Sequence, residues 1–444
     1  MKYLDLTIEE LHSLIKEKKI TAMDLINESL KRIEKYQEDN NPLITVLKPA
    51  GLIQEDSSYL AGIPYVLSDN ITTKGILTTG SSDLLKDYIP VFNATVVEKL
   101  NKEKALLMGK AILTELGLNI ENNENFISGA ASSVLLGMVS FALDSDTTGS
   151  VRKTAAFRGI VGFKPTYGLV SRFGLMPFSS SLDHIGCFTK KVKDLPYILN
   201  AIKGYDEKDS TSLRNDKIDY ILQLDDNVKG KKLFYFKEMM EEGDQKVLDN
   251  FKMVLKKCKK LGIIVEEVSI NKALLKALSP ATVIISLAEA ASNNANLTGL
   301  NFGIRGQGNS IDDLLIDARF KGFTSLTKSK FIIGHYVLQK EKKEKLFLNA
   351  QRIRRMIVEK MNELFSSYDA LILPSSNGFK KDDDHLLDSH LVIGNLGGYP
   401  SVSLPSGNSP FSINITGPIK KDLEVLKLAL ALENEFNQGG DQDV

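Results

Sequence analysis

The feature that most constrains this chain is the stretch from Phe141 to Gly168, FALDSDTTGSVRKTAAFRGIVGFKPTYG, in which an apolar run, a polar turn and a helix follow one another around Ser150. Met138–Leu143 reads as a buried strand, Asp144–Gly149 as a turn, and a helix through Ala155 and Phe157 begins at Ser150. That layout presents one hydroxyl at a helix head. Gly149 lets backbone pass close to a substrate, and the N–H groups of Thr147, Thr148, Gly149 and Ser150 would converge on a developing oxyanion, as acyl transfer through a serine ester requires. A helix-capping serine after a turn gives the same short pattern, so the triplet Thr148-Gly149-Ser150 alone does not separate chemistry from capping.

The rest of the chain narrows the class. With 444 residues, 43% apolar and 25% charged, it can bury a large core, as one large α/β domain or two to three smaller ones. The 56 basic residues balance the 56 acidic ones, which argues against a phosphate-driven nucleic-acid binder. Cys187 and Cys258 lie far apart with no C-x-x-C pair, which predicts reduced thiols in a cytoplasmic protein. No continuous apolar run approaches ~18 residues, so no membrane span is expected.

Thr7-Ile-Glu-Glu10 is a capping box for a first helix, and Ala22–Tyr36 carries Ile26, Leu30 and Ile33 at helical spacing. Strands are expected at Leu43–Leu47, Ala61–Leu67, Ala105–Met108, Lys232–Phe236, Ile263–Val268, Asp369–Leu373 and Ser401–Leu404, with helices at Asn93–Leu100, Val192–Ile202, Gln245–Lys260 and Leu423–Phe436. Residues 213–230 read as a linker, Asn119–Phe126 and Lys380–His385 as loops, and 438–444 as a frayed tail. One long helical pattern runs from Tyr336 to Phe365; its charges at Lys340–Lys345 and Arg352–Arg355 suit a solvated face better than a binding patch. His385 and His390, near three aspartates, match no standard metal-ligand spacing and read as part of a solvated loop, so no metal site is expected.

The run DSDTTGSVRKTAAFRGIVGFKPTYGLVSRFGL, continued by Ser179-Ser-Ser-Leu-Asp-His-Ile-Gly186, resembles the amidase signature family, and within it the A subunits of tRNA-dependent amidotransferases. The resemblance extends over nearly the whole chain. It implies a single large α/β domain with a mixed sheet sandwiched between helices: an N-terminal helical region at 1–60, a signature core at 61–212 and the remainder at 231–444. It further implies release of ammonia from glutamine through a Ser150 acyl ester. The ammonia would then serve conversion of Glu-tRNA(Gln) by a partner B subunit, which uses ATP and Mg, alongside a C subunit; no cofactor is expected in this chain.

Members of the family deprotonate the nucleophile with a buried lysine acting through a second serine. Measured against that pattern, this sequence departs at several places. The lysine belongs in G-I-P-x-x-x-K-D-N, and here the segment is Gly62-Ile-Pro-Tyr-Val-Leu-Ser-Asp-Asn70, which puts Ser68 in its place. The bridging serine, counted back from Ser150 without gaps, falls on Phe126, and a slip of two residues offers Ser128 instead. Thr148 stands where the family has a glycine. Lys74, six residues beyond Ser68, would need a sharp turn to return, and Lys110, Lys153 and Lys164 read as solvated or structural rather than as substitute bases. Of the glutamine clamp the resemblance keeps Asp388, turns an arginine into Lys330, and puts Thr282 where a tyrosine belongs. Since loss of a triad base typically costs on the order of 10⁴ to 10⁶ in turnover, two expectations stand: an active A subunit, or a catalytically silent scaffold of the same complex.

Overall fold

The computed structural model describes residues 3–49, 58–118, 128–214, 217–241, 243–378, 386–407 and 411–438. Two capped helices open the chain. Thr7 Oγ1 receives the Glu10 N–H while the Glu10 carboxylate receives that of Thr7, and Thr21 and Asp24 repeat the device, starting helices Ile8–Lys16 and Ala22–Asn40.

Among the described residues, eleven strands then form one mixed sheet: β1 (Leu43–Val46), β2 (Pro64–Ser68), β3 (Leu106–Ala111), β4 (Phe141–Asp146), β5 (Val161–Lys164), β6 (His184–Thr189), β7 (Lys232–Phe236), β8 (Ile264–Val268), β9 (Ala370–Pro374), β10 (Ser401–Pro405) and β11 (Ser412–Thr416). Across the sheet the order is β1-β3-β2-β4-β6-β5-β10-β11-β9-β7-β8. The pairing of β5 with β10 joins the first and second halves of the chain in one sheet, the mixed α/β architecture expected.

What positions the site is the parallel pair β2 and β4. Tyr65 lies opposite Phe141, Val66 opposite Ala142 and Leu67 opposite Leu143, so the next step pairs Ser68 with Asp144. Alternation sends Val66 and Ala142 to the face covered by helices Gly129–Leu135 and Ser150–Arg158, where they pack with Ala130, Val134, Val151 and Ala155. Tyr65, Leu67, Phe141 and Leu143 fill the other face, against Leu100 and Ile198. Ser68 and Asp144 therefore point toward the helix that carries Ser150.

Several expectations need correction. β4 begins at Phe141 rather than Met138 and runs on through Asp144-Ser145-Asp146, which the sequence pattern assigns to the turn. Those polar residues remain in a strand because each finds a partner from a neighbouring element. The expected helix from Tyr336 to Phe365 is broken: helix Ser325–Leu338 ends before an extended Gln339, and a further helix, Asn349–Phe365, follows a π-helical turn. Arg354 is not part of a solvated face; its guanidinium bonds the Leu396 and Ser181 carbonyls. Helices Lys272–Asn293 and Ile311–Gly322 are not apparent from the sequence pattern. Lys272–Asn293 is long and apolar enough to cross a membrane by length and composition, yet it contains Pro280 and packs Leu275, Leu278 and Ile285 against Ile357 and Met361. His390 is buried, with Nδ1 2.7 Å from the Leu387 carbonyl, because flanking Leu387 and Leu391 turn the segment inward. His385, Phe126 and the loops at 119–126 and 380–385 lie outside the described residues.

Candidate active site

Ser150 is the first residue of its helix, and Gly149 before it has φ +98°. A side chain there would be strained, and its Cβ would sit 2.9 Å from Leu391 Cβ. The turn is fixed by a buried ion pair. Arg152 Nε and Nη2 donate to Asp146 Oδ2 and Oδ1 at 3.1 and 3.0 Å. Asn395 Nδ2 and the Gly149 N–H add hydrogen bonds to Asp146 Oδ1 at 2.9 and 3.0 Å. Burial pushes the Asp146 carboxyl up, but the Arg152 guanidinium more than reverses this and keeps it well below the usual carboxylate range. One expectation changes here: the Gly149 N–H, offered by sequence to an oxyanion, is already occupied by Asp146.

Asp183 braces the turn from the other side. It accepts from Thr147 Oγ1 at 2.7 Å and from the Phe178 and Ser179 amides, while Glu289 holds the Ser179 and Ser181 hydroxyls at 2.7 Å each. The Ser179–Ser181 run is thus a wall tied to helices Lys272–Asn293 and Asn349–Phe365, the latter through Arg354. His184 pairs across the sheet with Asp146, places Nδ1 2.6 Å from the Leu182 carbonyl, and is pushed by burial well below its ordinary pKa. It stays neutral and structural.

Ser150 Oγ donates to the Ser145 carbonyl at 2.7 Å. Among the described residues, no lysine amine is hydrogen-bonded to the hydroxyls of Ser68, Ser128 or Ser150. Lys110 is fully buried but lies opposite Leu67 in register, on the sheet face away from Ser68. Its amine donates to the Ile71 carbonyl at 2.7 Å and Thr78 Oγ1 at 2.9 Å, and lies 3.5 Å from Asp69 Oδ1; burial lowers its pKa to about 8. Lys164 donates to the Tyr399 carbonyl at 2.6 Å, and Lys74 is exposed.

Beside Ser68, the position the resemblance matches to a lysine, lies a carboxyl. Asp144 is buried, and its Oδ2 accepts from Ser128 Oγ at 2.9 Å while its Oδ1 accepts from the Ser145 N–H at 2.8 Å. Ser68, with no exposed surface, lies against the same carboxyl and lowers its pKa without a regular hydrogen bond. Burial dominates and raises the Asp144 carboxyl to about 6. Ser128 also caps helix Gly129–Leu135, receiving the Ala131 N–H. Sequence reasoning passes over Asp144; a carboxylate set directly after a buried apolar run is the available signal.

With this geometry established, comparison with known proteins is decisive. A family model described as Amidase matches residues 24–127 and 128–426. The chain belongs to the amidase family. Among amidase relatives, the A subunit of glutamyl-tRNA(Gln) amidotransferase from Halothermothrix orenii is 36% identical over 98% of both chains. One of the same description from Thermoanaerobacter pseudethanolicus is 35% identical, again over 98% of each. The crystal structure of the A subunit of glutamyl-tRNA(Gln) amidotransferase from Thermotoga maritima superposes with a TM-score of 0.80 at 32% identity, covering 98% of this chain and 95% of that one.

The positions that the resemblance matches to a substrate clamp lie on three separate helices. Lys330, on helix Ser325–Leu338, is buried and donates to the Leu118 carbonyl at 2.7 Å. That loop reaches the site, since neighbouring Gly117 abuts Asn70, whose Nδ2 donates to Ser145 Oγ at 2.9 Å. Thr282 spends its hydroxyl on the Leu278 carbonyl one helical turn back. Asp388 falls on the short helix Leu386–Ser389, and its side chain lies outside the described residues. A cavity of about 250 Å³ opens beside Leu116 and Met176, walled by Tyr88, Phe173 and Phe302. Met176 borders Asn70 through a hydrogen bond from its N–H to the Asn70 carbonyl.

Proposed function

We propose that this chain is the amide-hydrolysing A subunit of a glutamyl-tRNA(Gln) amidotransferase, releasing ammonia from glutamine through a Ser150 ester. The observation that carries this reading is the end-to-end match, covering 98% of this chain and 98% of a relative so described, with Ser150 held at a helix head by the buried Asp146–Arg152 pair. The reaction asks for a nucleophile at the surface of a rigid turn, and Gly149 and Asp146 supply that rigidity. In this reading the chain works in the cytoplasm with B and C subunits. The B subunit holds ATP and Mg and supplies most of the tRNA contact, so the zero net charge of this chain is no obstacle.

The test is co-expression with B and C subunits, with glutamine or ammonium as nitrogen donor and Ser150→Ala alongside. Glutamine-dependent Gln-tRNA(Gln) that disappears in the alanine variant supports the reading. Product from ammonium alone, identical with and without Ser150, identifies a silent scaffold instead.

A further inference from the structure

The amidase site lacks a lysine beside Ser68, yet the same space is not chemically empty. β2 and β4 run parallel and in register, so the residue after the Leu67–Leu143 pair brings Ser68 and Asp144 together on the face covered by the serine helix. Two residues further along the same strand face, Asp146 is bonded to the Gly149 amide immediately before Ser150. Between them, the Ser145 carbonyl receives the Ser150 hydroxyl at 2.7 Å. Asp144 therefore sits one strand step from the residue that the nucleophile touches. Its Oδ2 is engaged by a second hydroxyl, that of Ser128, at 2.9 Å.

We propose that Asp144 is the proton acceptor for Ser150, with the Ser128 hydroxyl as the relay, so that a carboxylate on β4 replaces an amine on β2. The inference rests on the function proposed above for its substrate but not for its proton path. For the reaction the Ser150 hydroxyl turns from the Ser145 carbonyl to Ser128 Oγ; as Ser150 Oγ bonds to the amide carbon, its proton passes to Ser128 Oγ and the Ser128 proton passes to Asp144 Oδ2. The C–N bond then breaks, and the proton returns by the same path to the departing nitrogen, releasing ammonia and leaving the Ser150 ester. Water attacks the ester with the same relay and frees glutamate. Asp144 acts through Ser128 and need not touch the substrate.

The surroundings suit an acceptor that titrates near neutrality. From β2 the facing group is Ser68, from helix Gly129–Leu135 it is Ser128, and from β6 the residue opposite is Gly186. On β4 itself the near charge is Asp146, which raises Asp144 and is in turn compensated by Arg152. Burial is the largest influence and holds the carboxyl at about 6, so it is ionised and able to accept a proton at pH 7 and above.

The test is the rate at which the full chain is labelled at Ser150 by a fluorophosphonate probe between pH 4.5 and 9, a readout that needs no glutamine. The expected rate rises with pH through an inflection near 6. In Asp144→Asn it falls at least ~100-fold, the usual worth of a general base, and loses the inflection. Ser128→Ala slows labelling comparably and shows that the loss does not depend on the folding of one variant. In the double variant Ser68→Lys/Asp144→Gly, labelling returns with its inflection moved away from 6. An Asp144→Asn rate equal to that of the unaltered chain, or an unaltered chain whose labelling has no inflection between pH 5 and 7, overturns the proposal. A chain that labels as described yet releases no ammonia from glutamine overturns the substrate reading and leaves the proton path standing.

Discussion

Arg152 and Asp146 meet as a two-pronged ion pair with no exposed surface on either side chain, six residues apart across the turn that carries Ser150. The pair joins the end of β4 to the first turn of the serine helix, so the same contact that holds the two elements together also aims the nucleophile. Arg152 extends the link to the Leu391 carbonyl at 2.7 Å and to Asn395 at 2.5 Å, which ties the turn to the second half of the chain.

Arg152→Met is therefore expected to destabilise the protein by about 3 to 5 kcal/mol, since it leaves Asp146 buried without its counter-charge. Urea unfolding at pH 7 measures the loss. A change below about 1 kcal/mol would contradict this account of the turn.

Asp144 makes stability depend on pH in a direction that can be worked out. Its carboxyl titrates near 6 in the folded chain against 3.8 ordinarily, so the folded state binds the proton more tightly. The stabilisation is complete below about pH 4 and is lost as pH rises through 6. Asp144→Asn cannot ionise, and should be more stable than the unaltered chain at pH 8 by roughly 1 to 3 kcal/mol, with the advantage shrinking toward pH 4. Unfolding midpoints at the two pH values give the answer, and an advantage of equal size at both would refute it.

Gly149→Ala places a Cβ 2.9 Å from Leu391 Cβ at a backbone φ of +98°. The expected cost is about 1 to 3 kcal/mol of stability, with a larger proportional loss of Ser150 labelling because the turn itself must shift. Thermal melting and probe labelling on the same preparation separate the two effects.

Ser150→Ala removes one hydrogen bond, to the Ser145 carbonyl, from a half-buried side chain. Stability should change by no more than about 1 kcal/mol while glutamine-dependent ammonia release disappears. A variant that retained ammonia release would displace Ser150 as the nucleophile.

Local signals carried much of this protein in its sequence. The capping box at Thr7 and Glu10, the strand at Lys232–Phe236 and the helix at Gln245–Lys260 were legible because periodicity and capping act between neighbours along the chain. The serine at the helix head was legible for the same reason. Other features depended on residues far apart in sequence. Asp144-Ser145-Asp146 looked like a turn because three polar residues rarely extend a buried strand. They do so here because Ser128, Asn70 and Arg152 come from other elements to satisfy them. Likewise no pattern along the chain could say that Lys110 points away from Ser68 while Asp144 points toward Ser128, since strand register and sheet face decide both. The sequence by itself determined which hydroxyl stands at the helix head; tertiary packing alone decided that Asp144 lies beside Ser128 and Ser68, because a buried carboxyl is stable only where distant partners meet it.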